Sequence, residues 1–146
     1  MKIALASDHA GYALKTTLIQ WLDSQGYGIQ DLGTDDCVTR VDYPLFGQAL
    51  ARTIVAGEAD RGIAICGTGI GISIAANRLQ GVRAALCCDG LMARLTRAHN
   101  DANILCLGAR MIGEDMAKDI VHAFLTTDYE GGRHVQRVAQ LDSKNE

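Results

Sequence analysis

The stretch RGIAICGTGIGISIAAN, Arg61 to Asn77, decides the fold. It opens on a short continuous apolar run, Arg61–Cys66, the pattern of a strand covered on both faces. Three alternating glycines follow, Gly67, Gly69 and Gly71, and the pattern then turns helical to about Asn77. A strand passing through glycine straight into a helix is half of a βαβ unit. Glycine gives up more backbone entropy on folding than any other residue, so this density marks backbone amides brought close to something.

The same alternation extends in both directions. Upstream, Lys2–Ser7 is a brief apolar run, and Gly11–Gln25 carries Leu14, Leu18, Trp21 and Leu22 at helical spacing, with Gly26 placed to stop the helix. YGIQDLG is a weaker second strand, Gly33–Asp42 a polar loop, and Tyr43–Val55 returns to helical period through Leu45, Ala49 and Ile54, with Pro44 where a helix can start. Downstream, Val82–Cys88 predicts the fourth strand, Gly90 to about Ala98 a helix, and Asn103–Gly108 the fifth strand. Ile112, Met116, Ile120 and Phe124 mark one face of an amphipathic helix. A last helical piece begins near Gly131, and the tail DSKNE is expected to fray. The expectation is an α/β fold in one domain, residues 1–146: a three-layer, doubly wound, five-stranded parallel sheet, Rossmann-like. Right-handed crossovers then gather every strand-to-helix loop on one edge. That edge receives Asp8 and His9, the run Cys66–Gly71, Asp89 and Arg110.

Composition narrows the function. The chain has 146 residues, 48% hydrophobic and 21% charged, with a formal net charge of −3. That balance argues against nucleic acid or an anionic membrane as the main partner. No run approaches the roughly 18 apolar residues of a membrane span, and Asp8 and His9 cut the apolar N-terminus too short for a signal peptide. A soluble cytoplasmic protein is expected. The five cysteines, Cys37, Cys66, Cys87, Cys88 and Cys106, are odd in number and fit reduced thiols better than a disulfide framework. There is no Cys-x-x-Cys pair and no pair of histidines four apart, so no metal is expected.

The glycine stretch admits several readings. It can be a tight strand-to-helix turn whose glycines only permit close packing. A phosphate loop of the Gly-x-x-x-x-Gly-Lys-Ser/Thr type has no match. A dinucleotide site would use Asp89 as the ribose-binding acid, but the spacing is Gly-x-Gly-x-Gly and it follows the third strand. The remaining reading uses Cys66. Amides at a helix N-terminus form a nest for an anion and also favour a thiolate. Thiolate and amides together serve nucleophilic attack, or proton abstraction beside a carbonyl. Against it, a cysteine ending a strand is more often a small core hydrophobe, the role expected for Cys87 and Cys106.

His122 lies within the amphipathic helix and fits a bland role, whereas His9 and His99 sit in polar clusters between apolar elements and fit functional placement. In EGGRHVQRV, Arg133 and Arg137 are four apart, on one helical face. An exposed arginine pair is usually solvated, but this one suits a clamp on phosphate or carboxylate.

Five motifs in order, SDHAG, DYP, ICGTGIGISIAANR, RAHNDANILCLGAR and YEGGRHVQRV, resemble the type B ribose-5-phosphate isomerases along nearly the whole chain. The wider family includes allose and galactose 6-phosphate isomerases. The resemblance implies a five-stranded doubly wound sheet and a homodimer or homotetramer with sites at subunit interfaces. It also implies aldose–ketose isomerisation in the pentose phosphate pathway, with no cofactor. It makes Cys66 the base that moves a proton between C2 and C1. The amides of Gly67, Gly69, Ile70 and Gly71 would hold the cis-enediolate oxygen, with Thr68 beside them. By the same resemblance His99 opens the furanose ring and Asp8 handles sugar hydroxyls. His9, Arg133 and Arg137 match the phosphate end, and Asn100 and Arg110 match further substrate contacts. Some would come from a neighbour, reached by the segment from about residue 127. Members lacking the cysteine use a glutamate six residues later; here that position is Ile72. A non-catalytic nucleotide or sugar-phosphate binding protein is the alternative of another class. Cys66, Thr68 and His99 together argue against it, because a sensor needs the arginines but no base.

Overall fold

In the computed structural model, which describes residues 1–143, five strands make one all-parallel sheet. They are β1 (Lys2–Ser7), β2 (Gly28–Asp31), β3 (Arg61–Cys66), β4 (Ala84–Leu86) and β5 (Ile104–Gly108), in the order β2-β1-β3-β5-β4. The connecting helices are α1 (Tyr12–Ser24), α2 (Tyr43–Val55), α3 (Ile70–Ala76), α4 (Gly90–Asn100) and α5 (Glu114–Thr126); α6 (Val135–Asp142) ends the described chain. From β1 the chain first steps outward to β2, then returns to lay β3 on the other side of β1, with Ser7 opposite Ile65. The ends of β1 and β3 therefore flank a topological switch point, where open α/β sheets form their ligand crevice.

Alternation along the strands builds two different core layers. Ile3, Leu5, Ile63, Ile65, Leu105 and Leu107 point toward Leu18, Leu22, Ile120 and Phe124 on α1 and α5. Ala4, Ala6, Ala64, Cys66 and Cys106 point the other way, toward Leu50 and Ile54 of α2 and Ile72 of α3. Small side chains on that second face bring α2 and α3 close to the sheet. Gly47 continues the same economy, since a Cβ there would stand 3.0 Å from Ile72. Cys66 thus ends its strand on the tighter face, directly beneath the start of α3.

Several expected boundaries shift. β4 is three residues long, not Val82–Cys88, and α4 runs through Asn100, so His99 and Asn100 occupy its last turn and not a loop. Leu45 is exposed because α2 buries Gly47, Leu50, Ala51 and Ile54 instead. Met116 is likewise exposed: Ile112 precedes α5, whose inward face is Ala117, Ile120, Val121 and Phe124. Arg133 lies in a 3-10 turn, Gly132–His134, ahead of α6, so it and Arg137 do not share one α-helical face. Of the tail expected to fray, residues 144–146 lie outside the described residues. Among the described residues no helix is long and apolar enough to cross a membrane.

β4 is an edge strand, and a side chain covers part of its open rim. The Ala84 amide donates to Asn77 Oδ1 and the Asn77 side-chain amide donates to the Ala84 carbonyl, both at 2.8 Å.

Candidate active site

At the switch point a cleft of about 530 Å³ opens over the ends of β1 and β3. Asp8, His9, Tyr43, Cys66, Thr68 and Arg110 line it, with Gly67, Ile70 and Gly71 along one wall. The turn after β5 is fastened to the end of β3, for the Ala109 and Arg110 amides donate to the Cys66 and Gly67 carbonyls at 2.9 and 3.0 Å. That fastening brings Arg110 from a distant part of the sequence to the thiol.

The three glycines each answer to a different neighbour. Gly69 has φ +77°, and a Cβ on it would lie 2.5 Å from Leu86 and 2.8 Å from the Leu107 backbone carbon. Only glycine fits a left-handed residue pressed against the sheet. Its amide then points back and donates to Cys66 Sγ at 3.1 Å. Gly67 yields its space to the Arg110 guanidinium, 3.0 Å from a would-be Cβ, and Gly71 to the Tyr43 ring at 2.5 Å. Close packing and the thiol's environment are therefore one arrangement. The Thr68 hydroxyl accepts the Ile70 amide at 3.3 Å. Of the expected amides, that of Gly69 is directed to sulfur.

Cys66 is 4% exposed, and its sulfur accepts the Gly69 amide. Burial pushes Cys87 up to about 12, with Cys88 and Asp89 adding to it, and raises Cys106 further still. Those two behave as neutral core groups; the Cys87 thiol donates to the Ala85 carbonyl at 3.9 Å. Across the cleft, the buried Asp8 carboxylate is held by the Gly11 amide at 3.0 Å. His9 Nδ1 accepts the Val41 amide at 3.2 Å, which directs the proton of a neutral ring to Nε2. Val41 belongs to the loop before α2, which Asp36 organises by accepting the Val38 and Thr39 amides at 2.7 and 2.6 Å. Those two amides, Thr39's the stronger, hold the Asp36 carboxyl below its ordinary range.

Within one chain, His99, Asn100, Arg133 and Arg137 do not line this cleft. Parallel topology is the reason. α4 must run antiparallel to the strands, so its last turn lies where strands begin. The Gly62 amide donates to the Asn103 carbonyl and Arg83 Nε donates to the Asp101 carbonyl, placing the end of α4 beside the starts of β3 and β4. Cys66 pairs with Gly108 at the far end of β5, roughly 13–16 Å away at about 3.3 Å per residue. Asn100 borders a separate groove of about 460 Å³ with Asn77, Arg83, Thr96 and Leu141.

At that opposite edge stands a group that pattern reading passed over. The His99 ring stacks on His134, with centroids 4.4 Å apart and planes 14° apart. Glu130 lies 3.4 Å from His134 Nε2. Ligand-type atoms of His99, Glu130 and His134 fall within 4.8 Å of one another, a proximity that helix spacing alone does not show. Stacked imidazoles direct their nitrogen lone pairs in nearly parallel planes, which do not converge on one ion. Tyr43 also escaped assignment, although the DYP motif contains it. Asp89 is a helix cap: its carboxylate accepts the Met92 amide at 2.7 Å, outside the cleft.

The chain is similar to known sugar-phosphate isomerases. The family model described as Ribose/Galactose Isomerase matches residues 3–141. The chain is 47% identical over 140 residues to ribose-5-phosphate isomerase B of Escherichia coli (strain K12), spanning 96% of this chain and 93% of that protein. It is 38% identical over 141 residues to D-erythrulose-4-phosphate isomerase of Pectobacterium atrosepticum, covering 97% and 93%. The solved structure of Clostridium thermocellum ribose-5-phosphate isomerase B superposes with a TM-score of 0.96 at 51% identity, covering 97% of this chain and 95% of that one. The chain belongs to the ribose/galactose isomerase family, on its type B ribose-5-phosphate isomerase branch, and is an isomerase.

Proposed function

We propose that the protein interconverts ribose 5-phosphate and ribulose 5-phosphate through a cis-enediolate, with Cys66 as the base. The observation that carries this reading is the Gly69 amide aimed at a buried thiol, in a cleft that also holds Asp8, His9 and Arg110. The thiolate takes the proton from C2 of the open aldose and returns it to C1. The hydroxyl proton passes from O2 to O1 as the carbonyl moves, so the step is redox-neutral and draws on no nicotinamide. The Gly67 and Gly71 amides and the Thr68 hydroxyl stabilise the enediolate oxygen while the Gly69 amide supports the thiolate, a contribution for which loss of one donor typically costs ~10²–10³ in rate. Asp8 orients sugar hydroxyls, and His9 and Arg110 receive the substrate's polar end.

Ring opening and the rest of the phosphate clamp come from a second copy. His99, Asn100, Arg133 and Arg137 lie on the edge opposite Cys66 within one chain, which supports a homo-oligomer whose sites pair the thiol cleft of one copy with the segment from about residue 127 of another. Exposed Ile70, Ile74, Leu91 and Leu95 on α3 and α4 offer apolar area for such contact. The single domain would then be half of two sites. Five free thiols fit a reducing compartment, and so a cytoplasmic enzyme.

The deciding experiment compares turnover of ribose 5-phosphate, allose 6-phosphate, galactose 6-phosphate and erythrulose 4-phosphate by the purified protein. The pentose phosphate is expected to give the highest kcat/KM. A preference for the four- or six-carbon substrates would reassign the substrate, and binding without turnover of any would favour a sugar-phosphate sensor.

A further inference from the structure

His134 is 5% exposed and stands outside the thiol cleft, held in place by a short strap. The Glu130 amide donates to the Ala98 carbonyl in the last turn of α4 at 3.0 Å. Gly131 and Gly132, both at positive φ (+66° and +54°), then fold the chain back so that the His134 amide donates to the Gly131 carbonyl at 3.0 Å. Those positive dihedrals are open to glycine and strained in other residues. The fold-back lays the His134 ring flat on His99. His134 Nε2 accepts from Arg133 Nε at 3.4 Å, and Glu130 Oε2 stands beside the same nitrogen at 3.4 Å.

A half-exposed histidine in the last turn of a helix has several staggered rotamers open to it. A flat ring at stacking distance leaves one of them, and a buried ring with its nitrogen engaged is a fixed wall. We propose that Glu130 and His134 are positioning residues, acting through the stack to hold the His99 imidazole in the single orientation that ring opening needs. The proposal rests on the ring-opening role given to His99 above. Neither residue touches the reacting atoms.

The test uses the full-length oligomer and three variants, His134→Ala, His134→Phe and Glu130→Gln. Loss of the wall in His134→Ala is expected to lower kcat on ribose 5-phosphate by roughly 10- to 100-fold, the scale of a misplaced catalytic group, with KM changed by less than about twofold. His134→Phe keeps a flat ring against His99 and should recover most of the rate. Glu130→Gln should show the same pattern, reduced to a few-fold. Exchange of the C1 proton of ribulose 5-phosphate in heavy water, which needs the open chain and Cys66, should stay unchanged in all three.

A merely structural role would loosen the segment that carries Arg133 and Arg137 and raise KM. That outcome, or a His134→Phe variant no better than His134→Ala, would overturn the proposal. An unchanged Glu130→Gln would remove Glu130 from it. Proton NMR of the His99 ring separates this failure from failure of the isomerase reading, because it requires no turnover. The upfield ring-current shift should vanish in His134→Ala and persist in His134→Phe. A His99 signal indifferent to His134→Ala sinks the positioning role whatever the substrate proves to be.

Discussion

Cys66, Cys87 and Cys106 are all buried, yet among the described residues only Cys66 receives a backbone N–H from a turn built to deliver it. Cys66→Ala is therefore expected to abolish isomerisation and leave the fold intact, checked by turnover beside circular dichroism; near-normal activity would remove Cys66 from the base role. Iodoacetamide at pH 8 should label exposed Cys37 and Cys88 quickly and leave Cys87 and Cys106 unmodified in the native protein, read by peptide mass. The same burial predicts a pH dependence. The native Cys87 thiol keeps, up to about 12, a proton that the unfolded chain releases from pH ~8.5. Native protein then binds more protons than unfolded, so stability falls as pH rises through that window and is full below it. Urea midpoints should decline above pH ~9, and Cys87→Ala should soften the decline. Cys66 was legible because a strand, a thiol and glycines adjoin in sequence. The places of Tyr43 and His134 were not, because they come from rings packed on residues 28 and 35 positions away.

The elements placed best from the sequence are those whose ends carry local chemistry. α2 begins at Pro44's turn and α1 stops before left-handed Gly26, as expected. α4 overran its expected end because its stop is not a glycine: Asp101 takes φ +47° and is held by Arg83 and Arg97 at 3.1 and 2.8 Å. The Arg97 contact is a local i, i+4 pair, but the Arg83 contact comes from just ahead of β4 and has no local signature. Lys15 of α1 is another such case, 1% exposed and bonded to Asp31 at the end of β2 at 2.5 Å. Asp31→Ala should cost about 1–3 kcal/mol, since it strands a buried ammonium while Asp31 itself is partly solvated. Lys15→Met keeps the stem and removes the charge, so it should cost less; the reverse order in urea unfolding would refute this account. Gly69→Ala combines left-handed strain with a clash against β5 and should lose at least ~1–3 kcal/mol along with activity.

For the molecule as a whole, the five-stranded parallel sheet followed from alternation alone, while strand order did not, since β5 inserts between β3 and β4. The division of site residues between opposite edges follows from that topology and yields a test by mixing. A Cys66→Ala chain and an Arg133→Ala/Arg137→Ala chain, each inactive, should regain roughly a quarter of wild-type activity after full subunit exchange in a two-fold dimer. Half the dimers are then hybrids, each with one intact site. Verified hybrids without activity would show that each site is built from one chain. The Asn77 clamp on Ala84 bears on how two copies can meet. By imitating one residue of a sixth strand it occupies a rung that a neighbour's strand would need. Two copies meeting at this rim must therefore join through side chains of α3 and α4, not by splicing their sheets into one ribbon. At that rung the rim stays closed to the ladder-like stacking that an open parallel edge invites, in a lone chain as in any assembly.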